Sequence, residues 1–143
     1  MLIRKFQPAD LDQVMQIWLN GNRQAHSFID SSYWDEHYLA VQEALQQAEV
    51  IVAENNSKIV GFAGMQDDYL AGIFVQAGFQ HQGIGSQLLR VIKQSHSSIN
   101  LDVYLANEQA VHFYQGQGFK VIKEQADETG QREYLMNWRK AQP

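Results

Sequence analysis

The stretch Gln80-His81-Gln82-Gly83-Ile84-Gly85-Ser86 lies between a short apolar run that is typical of a strand and a helical stretch over residues 84–96. Such a loop leaves main-chain N–H groups free at the positive end of a helix dipole, where a diphosphate can bind without a cationic side chain. Gly83 and Gly85 favour this interpretation because a larger side chain would stand between main chain and phosphate. The sequence predicts a site for a phosphorylated ligand, although a glycine pair before a helix is also ordinary turn chemistry.

Two common nucleotide-binding motifs do not fit this loop. A dinucleotide fingerprint needs a third small residue at position 88, where this chain has Leu88. A P-loop ends in Gly-Lys followed by Ser or Thr, and that ending is missing here. The loop therefore predicts a different kind of phosphorylated ligand.

Periodicity and turn residues predict about six or seven strands and about four helices around the loop. The predicted strands are 2–6, 50–54, 59–65, 69–75, 99–105, 119–125 and 132–138. The predicted helices run from Leu11 to near Gly21, from an N-cap at Ser31 or Ser32, over 84–96 and over 108–115. In the strand at 99–105, Leu101 and Val103 are expected on one face, and Asp102 and Tyr104 on the other.

A second motif follows the loop further along the chain: Asn107-Glu108-Gln109-Ala110-Val111-His112-Phe113-Tyr114-Gln115-Gly116-Gln117-Gly118-Phe119. The loop matches the pattern Gln/Arg-x-x-Gly-x-Gly/Ala, and this segment matches Asn-x-x-Ala-x-x-Phe-Tyr-x-x-x-Gly-Phe. In this order the two motifs resemble those of the GNAT N-acetyltransferase superfamily. Residues 25–29 with Tyr33-Trp34 are similar to small bacterial members of the YiaC type. Many members have proline before the loop where this chain has Ala77.

The resemblance implies a single GNAT domain over residues 1–143 of the α/β (α+β) class. Its expected architecture is a mixed, mostly antiparallel sheet of about six or seven strands flanked by about four helices. The fourth and fifth strands, 69–75 and 99–105, are expected to splay apart and form a cleft. The expected co-substrate is acetyl-CoA, whose pantetheine arm would enter this cleft as an added strand.

The same resemblance assigns cofactor contacts to both motifs and to the strand before the loop. The main chain of Phe74 and Val75 would pair with pantetheine, and N–H groups from His81 to Ser86 would hold the pyrophosphate. The expected cofactor-binding residues are Phe74, Val75, Gln80, His81, Gln82, Gly83, Ile84, Gly85, Ser86, Asn107 and Tyr114. For Asn107, helix capping alone is a sufficient explanation.

The expected reaction is direct attack by a primary amine on the thioester, with CoA thiolate as the leaving group. Tyr114 occupies the family position of the general acid, and a phenol can donate a proton to a basic thiolate. Its alternative role is that of a tyrosine bridging core and solvent. The oxyanion donor would be a main-chain N–H near Phe74.

The acceptor side is less well defined by the sequence. Candidates for a general base are Glu54, Asp67, Asp68, Asp102 and His26, but a solvated surface role fits each carboxylate and a structural role fits the histidine. The expected substrate-binding side chains are His26, Phe28, Tyr69 and Tyr104, because aromatic faces attract ammonium groups.

Composition limits the partners. The chain has 11 Lys and Arg against 16 Asp and Glu, a net charge of −5, which disfavours nucleic acid and anionic membranes and favours a cationic acceptor. We expect a small-molecule amine or a protein amine as acceptor, and the oligomeric state is not predicted. There is no cysteine, and His37, His81, His96 and His112 show no metal-ligand spacing, so no metal is expected.

The sequence shows no signal peptide and no apolar run long enough for a membrane helix, which predicts a cytoplasmic location. One alternative from a different class remains at this point. A GNAT fold that keeps the cofactor site can serve as a non-enzymatic acyl-CoA-binding interaction or sensor module, and Tyr114 favours the enzyme over this module.

Overall fold

One seven-stranded sheet organises residues 1–141, the part of the chain that the computed structural model describes. Its strands are β1 (Leu2–Lys5), β2 (Glu49–Asn55), β3 (Lys58–Gln66), β4 (Tyr69–Val75), β5 (Ser98–Tyr104), β6 (Lys120–Ala126) and β7 (Arg132–Arg139). The helices are α1 (Leu11–Ala25), α2 (Ser31–Gln47), α3 (Ile84–Gln94) and α4 (Glu108–Gly116), and a 3-10 turn at Pro8–Asp10 precedes α1. The strand order is β1-β2-β3-β4-β5-β7-β6.

The centre of the sheet contains a gap. All other neighbouring strands are antiparallel, whereas β4 and β5 are parallel and are joined in register at one pair, Tyr69 with Asn100. The Asn100 N–H donates to the Asp68 carbonyl at 2.8 Å beside this pair. Both residues lie near the starts of their strands, so β4 and β5 separate towards their carboxyl ends. The predicted mixed, mostly antiparallel sheet with splayed fourth and fifth strands is confirmed.

The two faces of the sheet bury separate apolar clusters. Helices α3 and α4 cover one face with Leu88, Leu89, Ile92, Val111 and Tyr114, and helices α1 and α2 cover the other with Val14, Met15, Trp18, Trp34 and Leu45. The alternation expected in β5 is confirmed: Leu101 and Val103 are buried, while Asp102 and Tyr104 are half-buried on the opposite face. Tyr104 thus lies on the side of α1 and α2.

The predicted end of α1 and the predicted N-cap of α2 were wrong. Helix α1 does not stop near Gly21 but continues to Ala25. Gly21 lies inside the helix and packs closely against Phe74, since a Cβ there would lie 3.1 Å from Phe74 Cδ1. The N-cap of α2 is Asp30 and neither Ser31 nor Ser32, since the Asp30 carboxylate accepts from the Ser32 N–H at 3.0 Å.

The third helix also ends earlier than predicted, at Gln94 instead of residue 96, with Ser95 as its C-cap. None of the helices within residues 1–141 has both the length and the apolar character that a membrane crossing requires.

Candidate active site

A cavity of about 530 Å³ opens where β4 and β5 separate. Its lining comes from the end of β4, the glycine loop with the start of α3, and α4: Ala25, Ile73, Val75, Phe79, Gln80, His81, Gly83, Ile84, Gly85, Ser86, Asn107, Gln109, Ala110, Phe113 and Tyr114. The two sequence motifs therefore meet in one cavity. A larger cavity of about 860 Å³ between β1, α2 and α3 contains neither motif.

The glycine loop presents main-chain N–H groups to this cavity. Between residues 81 and 86, none of these N–H groups has an acceptor within the described chain, and the first helical bond of α3 runs from Gln87 N to Gly83 O at 3.0 Å. Positive φ angles at His81 (64°) and Gly83 (83°) turn the chain into a concave arrangement. Such a cradle at a helix N-terminus fits a diphosphate.

Glycine at position 85 is suited to this cradle for a steric reason. A Cβ there would lie 3.4 Å from Phe113 Cζ and 3.8 Å from Ile73 Cγ2. These are ordinary contact distances, so a side chain at position 85 would reduce the cavity volume without disrupting the fold.

The side chains of two glutamines brace the loop. Gln80 Nε2 donates to Val75 O at 3.1 Å, and Gln82 Nε2 donates to Gly78 O at 3.3 Å.

Most of the residues predicted to contact the cofactor line the cavity, but Phe74 and Gln82 do not. The expectation that Phe74 offers its main chain to the gap was wrong. The Gln76 N–H donates to Val60 O, so Gln76 faces β3, and in an antiparallel pair alternate residues face the same neighbour. Phe74 therefore also faces β3, and the main chain of Val75 and Ile73 faces the gap.

Tyr114 lies at the inner wall of the cavity. It is 8% exposed, and its ring packs between Phe113 and Phe119 with centroid distances of 5.3 and 5.6 Å. Burial raises the pKa of its phenol. Within residues 1–141 its hydroxyl has no hydrogen-bond partner, which leaves it free for a ligand in the cavity.

His26 belongs to a chain of hydrogen bonds that fixes its tautomer. Asn22 Nδ2 donates to Trp18 O at 2.9 Å, which leaves Asn22 Oδ1 as the acceptor for His26 Nδ1–H at 3.0 Å. His26 Nε2 then accepts from Asn107 Nδ2 at 3.1 Å, while Asn107 Oδ1 accepts from Ala110 N–H at 3.3 Å. Burial lowers the pKa of His26 to about 4. This histidine is neutral and both its nitrogens are engaged, so it is a poor general base.

Three of the predicted substrate residues form one aromatic cluster on the α1 and α2 side of the gap. The ring centroids of His26, Phe28 and Tyr104 lie 5.0–5.6 Å apart. The fourth, Tyr69, lies apart from them at the closed end of the gap, where its hydroxyl donates to Asp102 Oδ2 at 3.0 Å. None of the four lines the cavity of the glycine loop.

The face that carries this cluster is acidic. Asp102, Asp127 and Glu133 are half-buried, and within residues 1–141 no Lys, Arg or His forms a salt bridge with them. Burial raises the pKa of Glu133, and the charges of Asp102 and Asp127 raise it further. An incoming cation would relieve this unneutralised charge.

The remaining base candidates lie elsewhere. Glu54 accepts from Arg4 Nη2 at 3.0 Å on the β1 side of the sheet. Asp67 is part of the turn between β3 and β4, and Asp68 lies 3.4 Å from His96 Nδ1. Of the four carboxylates, Asp102 shares the face of the gap that carries the aromatic cluster with His26.

Sequence reasoning missed several lining residues. Ala110 and Phe113 stand inside the second motif, so their positions there could have indicated them. Ile73 could have been found from the period of two that relates it to Val75. Ala25 and Gln109 carry no such signal, since only the tertiary fold brings the end of α1 and the first turn of α4 to the cavity.

Comparisons with known proteins agree with this geometry. A family model described as the acetyltransferase (GNAT) domain matches residues 18–140. The chain is 34% identical to the peptidyl-lysine N-acetyltransferase YiaC of Escherichia coli K12, over 96% of each chain, and 27% identical to the peptidyl-lysine N-acetyltransferase YjaB of Salmonella typhimurium, over 94% of each. The solution structure of apo YjaB from Escherichia coli shares the fold, with a TM-score of 0.84 over 98% of each chain at 24% identity. The chain therefore belongs to the GNAT acetyltransferase family and is an N-acetyltransferase.

Proposed function

We propose that this chain transfers the acetyl group of acetyl-CoA to the side-chain amine of a lysine in a protein, with Tyr114 as the general acid. One observation carries the proposal: free main-chain N–H groups between residues 81 and 86 and the unpartnered hydroxyl of Tyr114 line the same cavity. The loop suits the diphosphate of CoA, and the hydroxyl suits a group that gains charge at the far end of the same ligand.

The main chain between these two ends supports the same ligand. Val75 and Ile73 turn their main-chain groups towards the gap, where the amides of an extended arm could pair with them as an added strand. Val75 O is held by Gln80 Nε2 at 3.1 Å, a bond that such an arm would replace or share. Bound acetyl-CoA would supply an activated thioester.

Tyr114 can protonate the sulfur that leaves. Because burial raises the pKa of its phenol, Tyr114 keeps its proton at neutral pH. Its hydroxyl can therefore donate a hydrogen bond to the sulfur as charge develops there, and pass on its proton as the bond between carbon and sulfur breaks. The residue is thus suited to act late in the reaction, when the leaving group acquires charge.

Two observations support a lysine acceptor. Both curated relatives described above are named peptidyl-lysine N-acetyltransferases. The acceptor side of this chain presents the half-buried carboxylates of Asp102, Asp127 and Glu133, which attract a cation. A lysine is neutral in only about one part in a few thousand at pH 7, so its attack also needs a group that accepts a proton.

The test is acetyl-CoA consumption with a panel of amines at pH 7 to 9. The panel contains a lysine peptide with a blocked N-terminus, the same peptide with arginine for lysine and a free N-terminus, and a polyamine. We expect thiol release and a mass increase of one acetyl group with the lysine peptide. Preference for the free N-terminus or the polyamine would refute the lysine acceptor, and cofactor binding without release from any amine would indicate a non-catalytic module.

A further inference from the structure

The closed end of the gap between β4 and β5 holds a pair of side chains. Tyr69 begins β4 and pairs with Asn100, and Asp102 follows two residues later on β5. Residues 100, 102 and 104 share one face of β5, the face of the aromatic cluster with His26. An amine that approaches from this side therefore meets Tyr69 and Asp102 where the cleft narrows.

The hydrogen bond between the two side chains has a defined direction. The Asp102 carboxylate can only accept, so the Tyr69 hydroxyl donates to Oδ2 at 3.0 Å. The other carboxylate oxygen accepts from Gln125 Nε2 at 3.4 Å, and the same Nε2 donates to Glu133 Oε1 at 3.0 Å. Because its own proton is directed at Asp102, the Tyr69 oxygen presents its lone pairs to an incoming N–H group.

The electrostatic surroundings keep Tyr69 neutral. Five influences raise the pKa of its phenol: burial first, then the charge and the hydrogen bond of Asp102, then the charges of Glu133 and of Tyr114. A phenol with a raised pKa does not persist as a phenolate at neutral pH. Its oxygen can still accept a proton while its hydroxyl donates its own proton to a neighbouring group.

We propose that Tyr69 is a catalytic residue that accepts a proton from the attacking amine through its hydroxyl oxygen, with Asp102 as the final proton acceptor. As the nitrogen bonds to the acyl carbon it becomes cationic and acidic. One N–H bond then breaks and a new O–H bond forms on Tyr69, while the original O–H bond of Tyr69 breaks and Oδ2 of Asp102 gains that proton. The electron pair of the broken N–H bond stays on nitrogen, and Tyr69 is again a neutral phenol. The negative charge of Asp102 is restored when its carboxyl group loses the proton to solvent.

This assignment rests on the proposed function, and it separates the two phenols by role. Tyr114, on the α4 side, gives a proton to the leaving sulfur, whereas Tyr69, on the opposite side, takes one from the nitrogen. The other groups facing the pair are Gln125 of β6, which is neutral, and Glu133 of β7. Glu133 Oε1 accepts from Gln125 Nε2, and within residues 1–141 Glu133 forms no hydrogen bond with Tyr69, whose proton is directed at Asp102.

The experiment compares Tyr69→Phe, Asp102→Asn and the double variant in the lysine-peptide assay, with Tyr134→Phe as the control. Tyr134 lies in the adjacent strand on the opposite face of the sheet, packed against the α3 and α4 cluster. We expect each single variant to lower kcat about a hundredfold with an unchanged KM for acetyl-CoA. The double variant should be no slower than the worse single variant, because the two side chains act as one unit.

Rescue by formate provides a second measurement. Added formate should restore part of the activity of Asp102→Ala, since a free carboxylate can take the final proton, and it should not restore Tyr69→Phe. A Tyr69→Phe enzyme with kcat within threefold of wild type overturns the relay alone. Losses that multiply in the double variant overturn it as well. A wild-type enzyme that binds CoA but transfers nothing overturns both the relay and the proposed function.

Discussion

Replacing Tyr114 with phenylalanine separates its chemistry from its structural role. The change removes one oxygen and keeps the ring that packs between Phe113 and Phe119. Because the hydroxyl has no partner within residues 1–141, its loss breaks no hydrogen bond of the protein. We therefore expect the free energy of unfolding to change by less than about 1 kcal/mol.

The catalytic effect should be much larger. General acid catalysis contributes about 10²- to 10⁴-fold, and we expect a fall in kcat of about 10²- to 10³-fold for Tyr114→Phe, which corresponds to about 3–4 kcal/mol in the activation free energy. Affinity for CoA should change less than about threefold, since the ring that borders the cavity remains. The measurements are thiol release under saturating substrates, calorimetric titration of CoA and urea unfolding.

Tyr38→Phe is the matched control, because Tyr38 lies in α2 against Trp18 and away from the cavity. The wild-type rate should also show no alkaline loss from Tyr114 below its ordinary pKa near 10, since burial moves its titration upward. A Tyr114→Phe enzyme that keeps kcat within threefold would refute the general-acid role. A fall in kcat accompanied by an equal loss of CoA affinity would place the residue in binding instead.

Three further perturbations test the cradle and the fold. Gly85→Asp should abolish CoA binding measured by calorimetry, yet it should leave thermal stability intact because a carboxylate in the first turn of α3 favours the helix. Gly116→Asp is the control: a Cβ there meets no atom within 4 Å, and this variant should bind CoA normally. Because the folded pKa of His26 is depressed to about 4, the protein should lose up to about 3 kcal/mol as pH falls from 6.5 to 4, and urea unfolding of His26→Gln should lack this loss. Asp10→Asn should cost about 2 kcal/mol at pH 7 in urea unfolding, because the Asp10 carboxylate accepts from Arg4 at 2.8 and 3.0 Å. Arg4 lowers the pKa of Asp10, so this difference should begin to shrink as pH falls below about 4 and should be lost once pH lies below the lowered pKa of the folded state. If Gly85→Asp, His26→Gln or Asp10→Asn gave the wild-type result in its assay, that result would contradict the interaction that the variant is meant to remove.

The two motifs predicted the cavity well because each is local in sequence. The loop from 80 to 86 and the helix with Tyr114 depend on short-range signals, namely small residues before a helix and an N-cap at Asn107. The error at Phe74 has a different origin. Which of two neighbouring residues faces the gap depends on the register with β3, and that register contains an irregularity between Gly64 and Met65 which periodicity does not reveal.

The role of His26 could not be derived from its position in an irregular segment. Its neutrality depends on Asn22 and Asn107, which come from two different helices and meet it only in the folded chain. Gly21 illustrates the same limit. A glycine within a helical pattern predicts an end, but here it lies inside α1, where Phe74 packs closely against it.

The proposed function depends above all on the glycine loop, whose main-chain N–H groups we expect to hold the diphosphate of CoA. Hydrogen–deuterium exchange with and without CoA measures these groups directly. We expect slower exchange at residues 81–86 in the presence of CoA, with no change in the hairpin of β2 and β3. Unchanged exchange at residues 81–86 under conditions where CoA is bound would contradict this expectation.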